Sequence, residues 1–171
     1  AYNPPIRLEN YLSDKYPMTR KLIPEASPDT PMGSVTHDLL QSKLWLCDTL
    51  QDLGYTSFDN IYILGSWYGV LALLIKRMPF EWKNIICVDK DLEKTRYVEH
   101  LIDKHNLKGI HAISTPAEKL KYKGSKILVI NTSTNDIVGT DWMNRIPWDS
   151  LVVIQGRDNQ EVSNGVETLR E

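Results

Sequence analysis

Cysteine is scarce in this 171-residue chain, with two residues. Cys47 and Cys87 lack Cys-x-x-Cys spacing, which excludes a disulfide framework and a thiolate zinc site. Cys87 falls in an apolar run and reads as a small buried hydrophobe. Two lone thiols fit a reducing, cytoplasmic setting. No apolar stretch approaches the roughly 18–20 residues that cross a bilayer, and no basic-then-apolar leader opens the sequence, so no membrane partner is expected. A strong charge of one sign is also missing. With 20 Lys and Arg against 22 Asp and Glu, the net charge is -2, too even for a chain that grips a phosphate backbone by bulk charge. The one basic cluster, Lys119, Lys121, Lys123 and Lys126, reads as a solvated loop, so nucleic acid stays an open but unindicated partner. No metal-ligand set is visible.

Proline is present but lopsided. Six of the nine prolines, Pro4, Pro5, Pro17, Pro24, Pro28 and Pro31, precede residue 32. Each fixes φ and removes a backbone donor, so residues 1–33 are expected to form an irregular arm with a short helix within 6–14. Residues 34–171 then form one α/β domain, which the length allows.

From Ser34 the pattern turns regular. Val35, Leu39, Leu40, Leu44, Cys47, Leu50 and Leu53 recur at helical spacing, Gly54 supplies a stop, and His37 and Trp45 lie within that helix. Apolar runs follow at 60–64, 84–88, 109–114, 126–130 and 151–155. Helical stretches are expected at 70–77 and, capped by Asp91, at 91–105 with Val98, Leu101 and Ile102 facing inward. Uninterrupted apolar strands alternating with helices predict a mostly parallel, Rossmann-like sheet with helices on both faces.

Two motifs carry the chemistry. The first is Ile61-Tyr62-Ile63-Leu64-Gly65-Ser66-Trp67-Tyr68-Gly69-Val70, a strand running into a tight turn and a helix, where a ligand can lie against the main chain. Gly65 permits the turn and a close approach, and Gly69 is expected to let the helix start near the strand. Against the dinucleotide pattern G-x-G-x-x-G, the second and third glycines are Trp67 and Val70. An indole at the second position obstructs a pyrophosphate, which disfavours NAD or FAD and an oxidoreductase. The second motif is Ile85-Ile86-Cys87-Val88-Asp89-Lys90-Asp91. Asp89 stands about 20 residues past the turn, the interval at which a second strand offers a carboxylate to ribose hydroxyls. The alternative for Asp89 is a turn or cap residue.

Gly65-Ser66-Trp67-Tyr68-Gly69 together with Val88-Asp89-Lys90-Asp91 resembles motifs I and II of the class I S-adenosylmethionine-dependent methyltransferases. The resemblance covers roughly residues 58–156 and implies S-adenosylmethionine as cofactor. It places the turn Leu64–Gly69 along the methionine part and Asp89, with Lys90, at the ribose. It puts Ser114-Thr115-Pro116-Ala117-Glu118 beside the adenine, and Asn131-Thr132-Ser133-Thr134-Asn135-Asp136 toward the transferable methyl. Asn131 and Thr132 thereby join the cofactor contacts, while Asn131 and Asp136 are the candidate catalytic residues that orient an acceptor. Asn131–Ser133 with Trp142 and Ile146-Pro147 is also similar to some bacterial and phage methyltransferases of unassigned substrate. The sequence departs from the family in having Ile63 two residues before the first glycine, where an acid is usual, and Trp67 for the middle glycine. The family continues with two strands after the fifth. Only polar residues 156–171 follow here, so the expectation is that the sheet is shortened at its C-terminal edge, that the sequence is cut, or that this is a reduced relative.

Methyl transfer from a sulfonium requires mainly alignment and exclusion of water, with a base where the acceptor starts protonated. Asn131 is followed by Thr-Ser-Thr rather than Pro-Pro-aromatic, which leaves exocyclic-amine methylation of DNA unsupported. No cysteine near strand 4 is available for carbon-5 pyrimidine methylation. Asn131-Thr132-Ser133 also reads as a polar turn. Trp67, Tyr68 and Trp142 either wall the site or simply pack. The acceptor, a small molecule or a nucleic acid, is not written in the sequence. An enzyme that cleaves or rearranges S-adenosylmethionine, and a catalytically silent binding module, are the competing readings.

Overall fold

The apolar runs pair side by side because strands hydrophobic on both faces need cover on both. The computed structural model describes Glu25 and residues 37–156. In it the strands are β1 (Asn60–Leu64), β2 (Asn84–Asp89), β3 (Ile110–Ser114), β4 (Ile127–Asn131) and β5 (Leu151–Ile154). They form one sheet in the order β3-β2-β1-β4-β5. Every pairing is parallel, with Leu64 opposite Val88 on one side and Asn131 on the other. The α-helices among the described residues are α1 (His37–Asp52), α2 (Val70–Lys76) and α3 (Leu92–His105).

Alternation along each strand divides the core into two layers. Ile61, Ile63, Ile85, Cys87, Leu128 and Ile130 face the layer in which Leu40 and Leu44 of α1, Leu74 of α2 and Val98 and Leu101 of α3 are buried. Tyr62, Leu64, Ile86, Val88, Ile127 and Val129 face the other, covered by Ala117, Leu120 and Trp142. That cover comes from two single 3-10 turns, Ala117–Lys119 and Asp141–Met143, on the β3–β4 and β4–β5 connections. Among the described residues, helical cover is thus on both faces, thick on one and thin on the other.

Local chemistry sets the ends. α1 stops at a Schellman motif. Gly54 takes φ 83°, Tyr55 N–H donates to Leu50 at 2.9 Å and Gly54 N–H to Gln51 at 3.0 Å. Leu53, read as part of the helix face, falls in this turn and is exposed, as is half of Trp45. The Asp91 side chain caps α3 by accepting from Glu93 N–H. β4 extends one residue further than its apolar run, taking Asn131 into the ladder opposite Leu64 and Ile154.

Of the expected arm at 1–33, only Glu25 is described. It is buried, with Oε1 3.8 Å from Lys76 Nζ. The expected helix at 6–14 and residues 157–171, on which the expected shortening of the sheet turns, lie outside the described residues. No helix among the described residues is long and apolar enough to cross a membrane. No cluster of three His, Cys, Asp or Glu among them is placed to hold a metal.

Candidate functional site

The strand order grows from β1 to β3 in one direction and jumps back to β4 and β5 in the other, so β1 and β4 flank a topological switch point. In open α/β sheets ligands bind in the crevice outside the carboxyl ends of the strands at such a point. A cleft of about 500 Å³ opens there, within the range of small-molecule sites. It is lined by Gly65, Val88 and Asp89 at the strand ends, by Thr115–Glu118, and by Asp136–Val138 with Asp141 and Trp142.

Asp89 is the hub of the cleft. Its carboxylate accepts the Trp67 N–H at 3.1 Å and the Asp91 N–H at 2.9 Å, one on each oxygen. The turn after β1 and the start of α3 are therefore tied to the end of β2. The side chain is 8% exposed, yet an ionised carboxylate has about four acceptor positions, so two remain for hydroxyls of a ligand. The ribose and the turn-residue readings of Asp89 are compatible in one side chain.

Trp67 stands where the family has a glycine, and it adopts glycine's backbone. Its φ is 51°, a left-handed conformation that costs a non-glycine residue about 1–2 kcal/mol. The Asp89 bond helps hold it. The indole turns outward, with Lys94 Nζ 4.6 Å from its centroid. Lys94 also lies 3.7 Å from the Asp91 carboxylate. Lys94 is a cleft residue that the sequence reading missed; its position three after the helix cap was the available signal.

The segment after β3 packs as a shelf. Thr115 N–H donates to Asp89 O at 3.0 Å, continuing the β2–β3 pairing past the strand end. Pro116 and the buried Ala117 follow in the 3-10 turn. Trp142 shares the buried cluster of Ala117 and is 2% exposed, its indole N–H donating to Gly139 O at 3.1 Å. Val88, Ala117, Val138 and Trp142 give the cleft apolar walls. Five carboxylates, Asp89, Asp91, Glu118, Asp136 and Asp141, outnumber the ammonium groups of Lys90 and Lys94. Such a cleft repels a phosphate chain.

The predicted site residues divide into two groups. Gly65, Trp67, Asp89, Lys90, Thr115, Pro116, Ala117 and Asp136 come together around the cleft, with Trp142 as a wall. Leu64, Ser66, Tyr68, Gly69, Asn131 and Thr132 do not line it. Leu64 is fully buried in the thin layer. Ser66 closes the turn, its N–H donating to Val88 O and its carbonyl accepting from Gly69 N–H, both at 3.0 Å. Tyr68 points to α3 and meets Tyr97 edge-on, centroids 5.2 Å apart. Gly69 serves a helix rather than the strand: a Cβ there would sit 3.3 Å from Val98 of α3. Asn131 is 0% exposed, and its Oδ1 accepts the Ser133 N–H at 2.9 Å. Thr132 is half-buried in the turn after it. Two unforeseen contacts bring Ser133 onto Gly65. Its Oγ donates to Gly65 O at 2.9 Å, and a Cβ on Gly65 would lie 2.5 Å from the Ser133 side chain.

No family model matches the sequence, and no curated protein matches it. Solved structures do match in fold. A protein assigned as an S-adenosyl-L-methionine-dependent methyltransferase from Methanococcus maripaludis superposes with a TM-score of 0.55 at 12% identity, over 91% of this chain and 67% of that one. A SAM-dependent methyltransferase from Aquifex aeolicus gives 0.54 at 11% identity, over 95% and 82%. A ribosomal protein L11 methylase from Lactobacillus delbrueckii subsp. bulgaricus gives 0.51 at 14%, over 70% and 60%. In several other matched structures this chain spans less than half of the protein's length. With strand order, parallel pairing and the placing of the cleft, these likenesses establish that the chain has the Rossmann-like α/β fold found in S-adenosylmethionine-dependent methyltransferases.

Proposed function

We propose that the cleft binds the adenosyl part of S-adenosylmethionine and that the chain acts as a methyltransferase. The observation that carries this reading is the position of Asp89. It sits at the carboxyl end of β2, beside the Gly65 turn, with acceptor positions left over in a cleft walled by Val88, Ala117, Val138 and Trp142. A carboxylate accepts two hydroxyls of a ribose and repels a 2′-phosphate. The acidic surroundings favour a ligand without phosphates over a dinucleotide.

S-adenosylmethionine, when bound, supplies an electrophilic methyl group on sulfur. The chain's own contribution on this reading is to hold the nucleoside, exclude water from its apolar walls and present the exposed Asp136 carboxylate at the rim, where it can orient an acceptor or take its proton. Asn131 does not share that role while fully buried. The acceptor is a molecule that reaches the rim formed by Asp136–Val138.

A second reading, a binding module without chemistry, is favoured by one observation: the Ser133 side chain rests on Gly65 at the methionine side. Asp89→Ala tests the shared part. We expect it to weaken 5′-methylthioadenosine binding about tenfold or more, as loss of charged hydrogen bonds implies, in calorimetric titration. Unchanged affinity removes the ribose assignment. Loss of the methyl group from labelled S-adenosylmethionine to an added acceptor mixture then separates a transferase from a silent module.

A further inference from the structure

Much of the turn at 65–69 is already engaged within the chain. The N–H groups of Ser66, Trp67 and Gly69 donate to Val88 O, to Asp89 and to Ser66 O. The carbonyl of Gly65 is taken by Ser133 Oγ at 2.9 Å. The open flank of Gly65 is covered, since a Cβ there would meet Ser133 at 2.5 Å and Ile137 Cδ1 at 3.5 Å. An amino-acid group carries one ammonium and one carboxylate, and it needs free acceptors, free donors and room. At Gly65 the room and one lone pair of the carbonyl belong to Ser133, and those three donors are used within the chain.

Ser133 is held in that place from both ends. Its N–H donates to Asn131 Oδ1 at 2.9 Å, and its carbonyl accepts from Asp136 N–H at 3.0 Å and Ile137 N–H at 2.9 Å. Asn131 Nδ2, by contrast, is buried without a hydrogen-bond partner among the described residues, and an unsatisfied buried donor weighs against the arrangement that creates it. The contact is therefore closed but strained in its polar accounting.

We propose that Ser133 plugs the amino-acid side of the site, so that in this arrangement the chain takes the nucleoside half of its ligand and gives the amino-acid half no place. This rests on the adenosyl reading of the cleft. The nucleoside half fits the chain as folded; the amino-acid half fits only when the 132–137 turn moves off Gly65.

The test compares 5′-methylthioadenosine with S-adenosylhomocysteine, which share the thioether nucleoside and differ in the amino-acid arm. In calorimetric titration the unaltered chain is expected to bind the two within about threefold of each other, since an arm without contacts adds no affinity. Ser133→Gly removes both Oγ and Cβ and is expected to tighten S-adenosylhomocysteine about tenfold while leaving methylthioadenosine within about twofold. Ser133→Ala keeps the Cβ and should recover less than about threefold of that gain. A preference of about tenfold or more for S-adenosylhomocysteine in the unaltered chain overturns the plug and leaves the adenosyl reading standing. An unchanged ratio in Ser133→Gly also overturns it. Binding of neither ligand to any form overturns the adenosyl reading, and the plug with it.

Discussion

Gly65 and Ser133 show how one residue's missing side chain is another's seat. Gly65 has φ 65°, and a Cβ on it would lie 2.5 Å from the Ser133 side chain. Gly65→Ala is thus expected to cost about 2–3 kcal/mol, combining left-handed strain and overpacking. In a Ser133→Gly background the packing part disappears and the cost should fall to the roughly 1 kcal/mol of strain alone. Urea unfolding of the four proteins of the cycle measures the coupling, and additive costs would show that the two residues do not press on one another. At this scale Asp89 was legible and Ser133 was not. An acid at the end of an apolar run is a local pattern, and the strand end fixes where it lies. Ser133 reaches Gly65 across 68 residues of sequence, a contact that only the pairing of β1 with β4 creates. The edge-on contact of Tyr68 with Tyr97 of α3 is likewise a matter of how distant segments pack.

Between elements, Asp59 does for the amino ends of the strands what Asp89 does for their carboxyl ends. It precedes β1, and its Oδ2 accepts the Ser125 hydroxyl at 2.6 Å and the N–H groups of Ser125 and Lys126 at 3.3 Å, just before β4. The Ser125 hydroxyl, then the two backbone donors and the Lys83 ammonium, hold its carboxyl down at about 2 from an ordinary 3.8. A depressed folded value means that the bond lends stability above about 3.8 and loses it as pH falls through about 2. Ser125→Ala is expected to raise the Asp59 titration midpoint, read by carbon-detected NMR, and to move acid unfolding to higher pH. A midpoint that stays in place would assign the depression elsewhere. The strands themselves were readable to within a residue, since the runs of β1, β2, β4 and β5 are unbroken and β3, interrupted by His111, still alternates with helices. β4 overran its run because Asn131, though polar, still pairs through its backbone with Leu64 and Ile154.

For the molecule as a whole, alternating strands and helices were enough to give a parallel Rossmann-like sheet. The thinness of its second layer was written as the lack of any helical period between Ser114 and Lys126 or between Asn131 and Leu151. The site was legible where backbone geometry alone decides it, at Gly65, Asp89 and Thr115–Ala117. It was obscure where a helix side chain leans into the cleft, as with Lys94, or a distant connection reaches it, as with Asp141. Cys47 and Cys87 are both buried, and burial pushes each thiol up to about 12 from 9.0. Neutral when folded, they lend stability that is whole below about 9.0 and fades as pH rises toward about 12. Neither is expected to react with a disulfide reagent at pH near 8 until the chain unfolds, whereas both should react in urea, because the thiolate is the nucleophile. Rapid reaction of the native protein would show that the helical layer opens on its own.

Those thiols have a further use that follows from the two-layered core. Both belong to the layer under α1, α2 and α3, while Trp142 belongs to the other. With Trp45, Trp67, Trp82 and Trp148 replaced by phenylalanine, the chain would carry a chemical reporter on one side of its sheet and a single fluorescent one on the side that borders the cleft. Loosening of the two faces can be timed separately in the same sample, without a label, and a ligand that settles in the cleft should quiet the indole's side while leaving the thiols' side at its own pace.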